Sequence, residues 1–414
     1  MTARDLSCWR TYDGGLKFLT VTSDTISDLW ARAQSSLANG DLVPAIQSKR
    51  IGNVGRKKKE LDIGTAIKAV PLARRQNQRS LSHQLQVPRS TLQRRIKDGE
   101  IKVHSDAIKP FLTDKNMLTR LQFCVTSLDP VNPGRFMDMM DRIHIDEKWF
   151  YITRMNQKFY LAPDEEAPHR TCKSKRFIMK VMFLAVVARP RWDTYRNQQF
   201  SGKIGIFPFV TREPAKRSSV NRPAGTMVTK VTESINKDET RKMLIDNVLP
   251  AIHAKWPRAW PGQNGRATIL VQQDNAGPHV SADDPQLAGE LLKDGWQIHM
   301  SNQPPNSPDL NVLDLGWFRA IQSLQHQIGG QNTIDDLIHA TQKAFDDMEI
   351  QKLNNVFLTL QQCMVEIMRV GGSNSYKLPH MSKMKLLRRG ELPETLDCPA
   401  DALQSVNEHI SRLQ

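Results

Sequence analysis

Thr268-Ile-Leu-Val-Gln-Gln-Asp274-Asn-Ala-Gly-Pro-His279 is the stretch on which the reading of this chain turns. Four apolar or β-branched residues in a row predict a buried strand, and the strand runs out at Asp274. Asn275, Gly277 and Pro278 then force a turn. A carboxylate at the end of a buried strand is costly unless it is paired or bound to a metal. Taken alone, Asp274 reads as a loop cap, since buried polar groups are usually satisfied structurally.

Two other stretches deliver acids in a similar way. In Arg142-Ile-His-Ile-Asp146-Glu-Lys-Trp-Phe150, Ile143 and Ile145 alternate with His144 and predict a strand carrying Asp146. Downstream, the rigid loop Gln303–Asn311 leads into a helix expected over Val312–His326. Asp314 lies in its first turn, where the helix N-terminus favours negative charge. Between these stretches the pattern predicts strands at Lys158–Ala162 and Phe177–Val187, and another strand or a hairpin at Lys203–Val210. A helix at Glu239–Lys255 with a kink at Pro250 follows, then a helix at Gln286–Lys293 and a strand at Gln297–Met300. The order β-β-β-α-β-α, with acids at these points, is a ribonuclease-H-like pattern: an α/β domain whose mixed sheet is flanked by helices.

Carboxylates from an early strand, a middle strand and a late helix suit Mg²⁺ or Mn²⁺, hard cations that take oxygen ligands. Two such ions roughly 3.5–4 Å apart can activate an attacking water or hydroxyl and stabilise a leaving oxygen, with no nucleophilic Ser or Cys required. The neighbours read differently. Asp309 sits in a Pro-rich loop and reads as a turn or cap. Strand alternation turns Glu147 to the face opposite Asp146. His279 reads as a hydrogen-bonding or DNA-contacting residue, because Mg²⁺ sites favour oxygen. Trp149, Trp317 and Phe318 read as core.

The bulk numbers fit a soluble globular chain of two or three domains: 414 residues, 39% hydrophobic and 24% charged. No apolar run approaches a membrane span, and no secretory signal is legible. The five cysteines (Cys8, Cys124, Cys172, Cys363, Cys398) include no CxxC pair, which argues for a reducing compartment and against structural zinc. The net charge is +15, and 17 Lys and Arg against 6 Asp and Glu lie between Arg50 and Thr126. A basic block this dense suits a polyanion.

That block has internal order. Residues 48–59 form a glycine-punctuated basic linker in which Arg56, Lys57 and Lys58 suit phosphates or a minor groove, and which also reads as a nuclear-localisation patch. Helices expected at Glu60–Val70, Ser80–Gln86 and Ser90–Lys97, with Val87-Pro88 as the turn, match an all-α helix-turn-helix unit. Arg89, Ser90, Thr91, Gln93 and Arg94 then face the major groove of double-stranded DNA, with Arg95 and Lys97 at phosphates. A further helix is expected at Thr113–Ser127, and Asp129-Pro-Val-Asn-Pro-Gly134 reads as a break. The resulting division is 1–47 (N-terminal region), 48–59 (basic linker), 60–128 (DNA-binding domain), 129–141 (linker), 142–345 (catalytic domain) and 346–414 (C-terminal helices and tail). Arg170–Arg176 and Lys216-Arg-Ser-Ser219 are further basic stretches that suit either DNA or solvent.

Asp146-Glu-Lys-Trp-Phe150, Gln273-Asp-Asn-Ala-Gly-Pro-His279 and Ser307-Pro-Asp-Leu-Asn-Val-Leu-Asp314 closely resemble the signature blocks of mariner-like DDE/D transposases. Between Asp274 and Asp314 lie 39 residues. That spacing, with Cys172-Lys-Ser-Lys, Phe183-Leu-Ala-Val-Val-Ala-Arg-Pro190 and Lys203-Ile-Gly-Ile-Phe-Pro-Phe209, looks like the plant and oomycete branch. The resemblance spans about Ile26 to about Pro379. It implies a two-ion triad of Asp146, Asp274 and Asp314, binding of terminal inverted repeats and target DNA, a homodimer, and cut-and-paste transposition in the nucleus. Two departures stand out. The family has a helix-turn-helix unit on each side of the basic linker. Here only the helix Ile26–Asn39 precedes it, which points to a truncated copy or a misassigned exon. Gly277 stands where family members more often carry Arg. The rival reading is a decayed or domesticated sequence-specific DNA-binding protein that no longer mobilises an element.

Overall fold

A computed structural model describes residues 23–44, 46–47, 61–104, 108–154, 160–166, 168–169, 171, 174, 178–220, 222–257, 268–281, 283–328 and 332–413. The chain divides into two compact units, Met1–Ala107 and Ile108–Gln414.

The first unit holds helices α1 (Ser23–Ala38), α2 (Ile63–Ala69), α3 (Gln78–Leu85) and α4 (Arg89–Lys97). Asp62 sets the start of α2, later than the sequence pattern suggests, by accepting from the backbone of Gly64 and Thr65. Asn77 caps α3 in the same way. Gln86 takes φ +52° to end α3, and the turn is closed by Ser82 Oγ donating to the Val87 carbonyl. Ile63, Leu81, Val87 and Leu92 form a small core between α2, α3 and α4. The basic linker, with Arg56, Lys57 and Lys58, lies outside the described residues.

The second unit opens with α5 (Asp114–Val125) and is built on a five-stranded sheet. In chain order the strands are β1 (Arg142–Tyr151), β2 (Lys180–Ala188), the short β3 (Arg191–Asp193) and β4 (Gln198–Phe200), β5 (Lys203–Pro208), β6 (Val210–Pro214), β7 (Met227–Val231), β8 (Ile269–Gln273) and β9 (Ile298–Asn302). The sheet order is β5-β2-β1-β8-β9. β2 runs antiparallel to β1 and β5, whereas β8 is parallel to β1 and β9. This mixed order is the ribonuclease-H-like arrangement. β3–β4 and β6–β7 are separate two-stranded ribbons. Of the strand expected at Lys158–Ala162, residues 158 and 159 lie outside the described residues, and Tyr160, Leu161 and Ala162 are irregular.

Strand alternation sends side chains to two cores. Ile143, Ile145, Leu184 and Val186 pack under α6 (Lys237–Met243), α7 (Leu249–Lys255) and α8 (Pro285–Leu291). Phe150, Phe183, Ala185 and Val187 face the other way, toward α5, α9 (Phe318–Gln325), α10 (Ile334–Asp347), α11 (Ile350–Arg369) and α13 (Ala400–Leu413), the last following the short α12 (Lys383–Arg389). The kink expected at Pro250 appears as a wide π turn at Leu244–Val248 just before it. Proline has no N–H for the Asp246 carbonyl, and the longer bond from Leu249 N–H to the Leu244 carbonyl absorbs the gap.

Two expected boundaries shift. α5 belongs to the second unit and not to a segment 60–128, because burial of Leu121 and Cys124 closes that unit's larger core. The C-terminal helices are not an appendage either: Leu353, Phe357, Leu360 and Met364 of α11 lie at the centre of the same core. Residues 129–136 are folded against the chain's end, with Phe136 N–H donating to the Leu396 carbonyl and Cys398 N–H to that of Gly134.

Candidate active site

The three aspartates gather where β8 ends beside the middle of β1. β1 and β8 are parallel and in register at His144 and Gln272. Two residues further along each chain stand Asp146 and Asp274, so the register alone sets them side by side. Asp274 is fixed by the turn that follows β8. Gln303 N–H donates to the Gln273 carbonyl (2.8 Å), Gln273 Nε2 donates to the Val280 carbonyl (2.9 Å), and Ala276 N–H donates to Asp274 Oδ1 (2.8 Å). Asp314 arrives from the far side on a π turn, Leu313–Trp317, where Gly316 takes φ +150°, a conformation that strains any side chain.

Asp146 is 8% exposed. Its Oδ1 accepts from Glu147 N–H (2.8 Å) and its Oδ2 from Asn311 Nδ2 (2.8 Å). Asn311 is itself buried, and its Oδ1 accepts from Leu313 N–H (2.9 Å), which ties the Asp146 carboxyl to the turn carrying Asp314. Burial, followed by the negative charges of Asp314 and Glu147, pushes the Asp146 carboxyl up to about 8. Burial and the neighbouring acids thus disfavour ionisation of Asp146, and a cation placed among them would favour it.

Each acid is nonetheless engaged by the protein itself. His279 Nδ1 lies 2.7 Å from Asp274 Oδ1 and its Nε2 lies 2.8 Å from Glu147 Oε2. Although burial opposes protonation, hydrogen bonds to the two carboxylates raise His279 to about 11, so it stands as an imidazolium between them. Its hydrogen bond in turn lowers Asp274. Lys148 Nζ lies 3.4 Å from Asp314 Oδ1 and 5.5 Å from the Phe318 ring. Among the described residues, no three His, Cys, Asp or Glu side chains are grouped as a ready-made ligand set. The donor chemistry suits Mg²⁺ or Mn²⁺, and each carboxylate keeps lone pairs beyond those that Asn311, His279 and Lys148 occupy.

Glu147 follows the alternation predicted for it, on the face opposite Asp146, yet it is not isolated from the site. Through His279 it reaches Asp274. His279 forms hydrogen bonds, as one of its two readings had it, whereas its partner Glu147, Asn311 and Lys148 are the residues that sequence reasoning did not assign, although all lie inside the quoted motif blocks. Asp309 is more than a turn former. Buried Arg120 of α5 grips both its oxygens at 2.7 Å, and Tyr376 donates to Oδ2 at 2.7 Å. Trp317 and Phe318 are core, as expected, while half-buried Trp149 lies beneath Lys180 Nζ, 4.1 Å from its ring centre. At Gly277 a Cβ meets nothing within 4 Å, so a side chain can leave the backbone there without a clash.

In the first unit, Arg89, Ser90, Gln93, Arg94 and Lys97 of α4 are exposed and Thr91 is half-buried. Arg95 departs from its expected place at phosphate. It is 7% exposed and its guanidinium binds Glu100, because its position on α4 faces the turn Asp98–Ile101.

No protein-family model and no curated protein matches the chain by sequence. Among solved structures, the chain is similar to the Mos1 mariner paired end complex with Mn, at 18% identity and a TM-score of 0.51, over 86% of this chain and 90% of that one. It is similarly close to a pre-cleavage Mos1 transpososome, at 17% identity and a TM-score of 0.50, over 86% and 90%. The likeness is one of fold.

Proposed function

We propose that the chain is a DNA transposase of mariner type, of the branch suggested by the 39-residue spacing. It binds terminal inverted repeats and performs metal-dependent strand cleavage and strand transfer. The observation that carries this reading is the convergence of Asp146, in the middle of β1, with Asp274 after β8 and with Asp314, where burial and mutual repulsion raise Asp146. In the proposal these three residues hold two Mg²⁺ or Mn²⁺ ions. Bound there, the ions supply Lewis-acid activation of the attacking oxygen and stabilisation of the leaving one. The chain's own contribution is to orient the acids. Asn311 holds Asp146 to the Asp314 turn, and His279 holds Asp274 to Glu147. In the proposed complex Lys148, at the mouth of the site, faces the phosphate.

The proposal extends to a homodimer that pairs two element ends, and to action in the nucleus, where the basic linker serves as the targeting patch. The test is nicking of element-end DNA in Mg²⁺ or Mn²⁺ by wild type and Asp274→Ala. Equal rates overturn the catalytic reading.

For the first unit, the exposed residues of α4 support insertion into the major groove. Arg89→Ala with Arg94→Ala is expected to weaken binding to the repeat by about 2 kcal/mol or more, since a good base contact is worth about 1–3 kcal/mol. A gel-shift titration with unchanged affinity counts against this helix as the reader.

A second reading, a decayed or domesticated DNA-binding protein, is favoured by Gly277 and by the engagement of every acid within the protein. It predicts repeat binding by α4 without nicking by the wild type.

A further inference from the structure

The segment that follows α11 and folds back on it as α12 plays no part in the site described above. Residues 367–390 hold six cations, Arg369, Lys377, Lys383, Lys385, Arg388 and Arg389, and no acid. Arg369 is paired with Glu366 and Asp401, and Arg389 with Glu391. Lys383, Lys385 and Arg388 make no ion pair among the described residues. Two contacts seat the segment on α11. Lys383 Nζ donates to the Asn355 carbonyl at 2.8 Å and to Thr359 Oγ1, and Gln362 Nε2 donates to the Pro379 carbonyl at 3.3 Å. They leave a cavity of about 680 Å³ between the segment and α11, within the range of small-ligand sites. Its lining includes Gln362, His380, Ser382, Lys383, Lys385 and Arg388, and no acid among the described residues.

A basic run is usually a solvated face, with its charges in water. Lys383 breaks that pattern. It is half-buried, its two acceptors are neutral, and burial pushes its ammonium down to about 8. A charge so placed lacks the partner that a buried cation needs, and one of its three N–H groups is left for a ligand. Lys385 and Arg388 are exposed and three residues apart on α12, so they are neighbours on the helix surface. Arg388 adds a planar fork that matches phosphate oxygens. His380 Nδ1 accepts from Ser382 N–H at 3.2 Å, which makes its other ring nitrogen a donor. Cations and donors without an acid select a ligand rich in acceptors and negative charge.

We infer that the cavity between α12 and α11 is a binding site for a compact polyphosphate, whose oxygens are gripped by Lys383, Lys385 and Arg388. The cavity has the volume of a small-ligand site, and Lys383 is drawn down onto α11, where a compact ligand reaches it better than the convex backbone of a duplex. The site shares no residue with the three aspartates and does not rest on the transposase reading.

The test is acylation of lysines in the full chain, read peptide by peptide by mass spectrometry. The probe is inorganic tripolyphosphate, and the control is chloride at the same ionic strength. Tripolyphosphate at about ten times its dissociation constant is expected to slow labelling of Lys383 about tenfold, while exposed Lys293, outside the cavity, follows the control. Arg388→Gln should melt with the wild type, because the side chain is exposed, and should weaken the protection constant about tenfold through loss of a charge-assisted bond. Equal labelling of Lys383 in tripolyphosphate and chloride overturns the inference, as does protection that Arg388→Gln leaves unchanged. Stronger protection by a duplex of arbitrary sequence than by tripolyphosphate, at equal phosphate concentration, also overturns it and assigns these cations to nucleic acid.

Discussion

Asp146→Asn is expected to abolish metal-dependent cleavage, by at least about 10³-fold, without loosening the fold. A bound dication supplies several kcal/mol of charge stabilisation, and each 1.36 kcal/mol is about tenfold in rate. The same substitution removes a buried carboxyl that desolvation and two neighbouring acids make costly. The ion-free variant should therefore melt at or above the wild-type midpoint, trading function for stability as strained sites do. Mg²⁺ or Mn²⁺ should raise the midpoint of the wild type, since a ligand that binds only the folded state stabilises it, and should leave that of Asp146→Asn in place. A thermal melt with and without ion reads this without reference to activity. A variant that cleaves at the wild-type rate, or keeps the ion-dependent shift, removes Asp146 from the metal site.

The second large effect concerns the fold. Arg120→Ala is expected to cost about 3–5 kcal/mol, read as a lower urea midpoint, because it strands the Asp309 carboxylate without its partner. Arg120 is fully buried, and besides Asp309 it donates to the Gly372 carbonyl and to Ser307 Oγ, each at 2.8 Å. Arg120→Met with Asp309→Leu should lose less, since a buried pair replaced as a whole leaves no orphan charge. The pH dependence follows from the same contact. Burial works to raise the Asp309 carboxyl, but the hydrogen bonds and charge of Arg120 outweigh it and hold the group below the usual range. A depressed folded pKa stabilises the protein above the unfolded value of about 3.9 and is lost as pH falls through the folded one. Acid unfolding of the wild type should thus steepen below about pH 4, and Asp309→Asn should flatten that limb. An unchanged acid limb would show that the pair carries no linkage.

Local chemistry made much of the molecule legible. β8 and its turn are written in four apolar residues followed by Asp, Asn, Gly and Pro, and β1 in the alternation around His144. Arg95 was not legible in this way. On a helix of polar and basic residues its period differs little from that of its neighbours, and only packing against the turn at Asp98–Ile101 assigns it to Glu100. α5 escaped for a related reason: its apolar stripe shows that it packs, without naming the partner, and the partner is α11, more than two hundred residues away in the chain.

The sequence by itself determined that a strand carries Asp146, that a strand ends at Asp274, most of the strands that make the sheet, and the basic block of the first unit. These are local properties of period, turn residues and charge. Only the tertiary structure decided what those acids touch. Asn311, His279, Lys148 and Arg120 meet their carboxylates across separations of five to 189 residues. Such pairs leave no periodic trace, because burial, and not spacing along the chain, selects the partner that a buried charge must have.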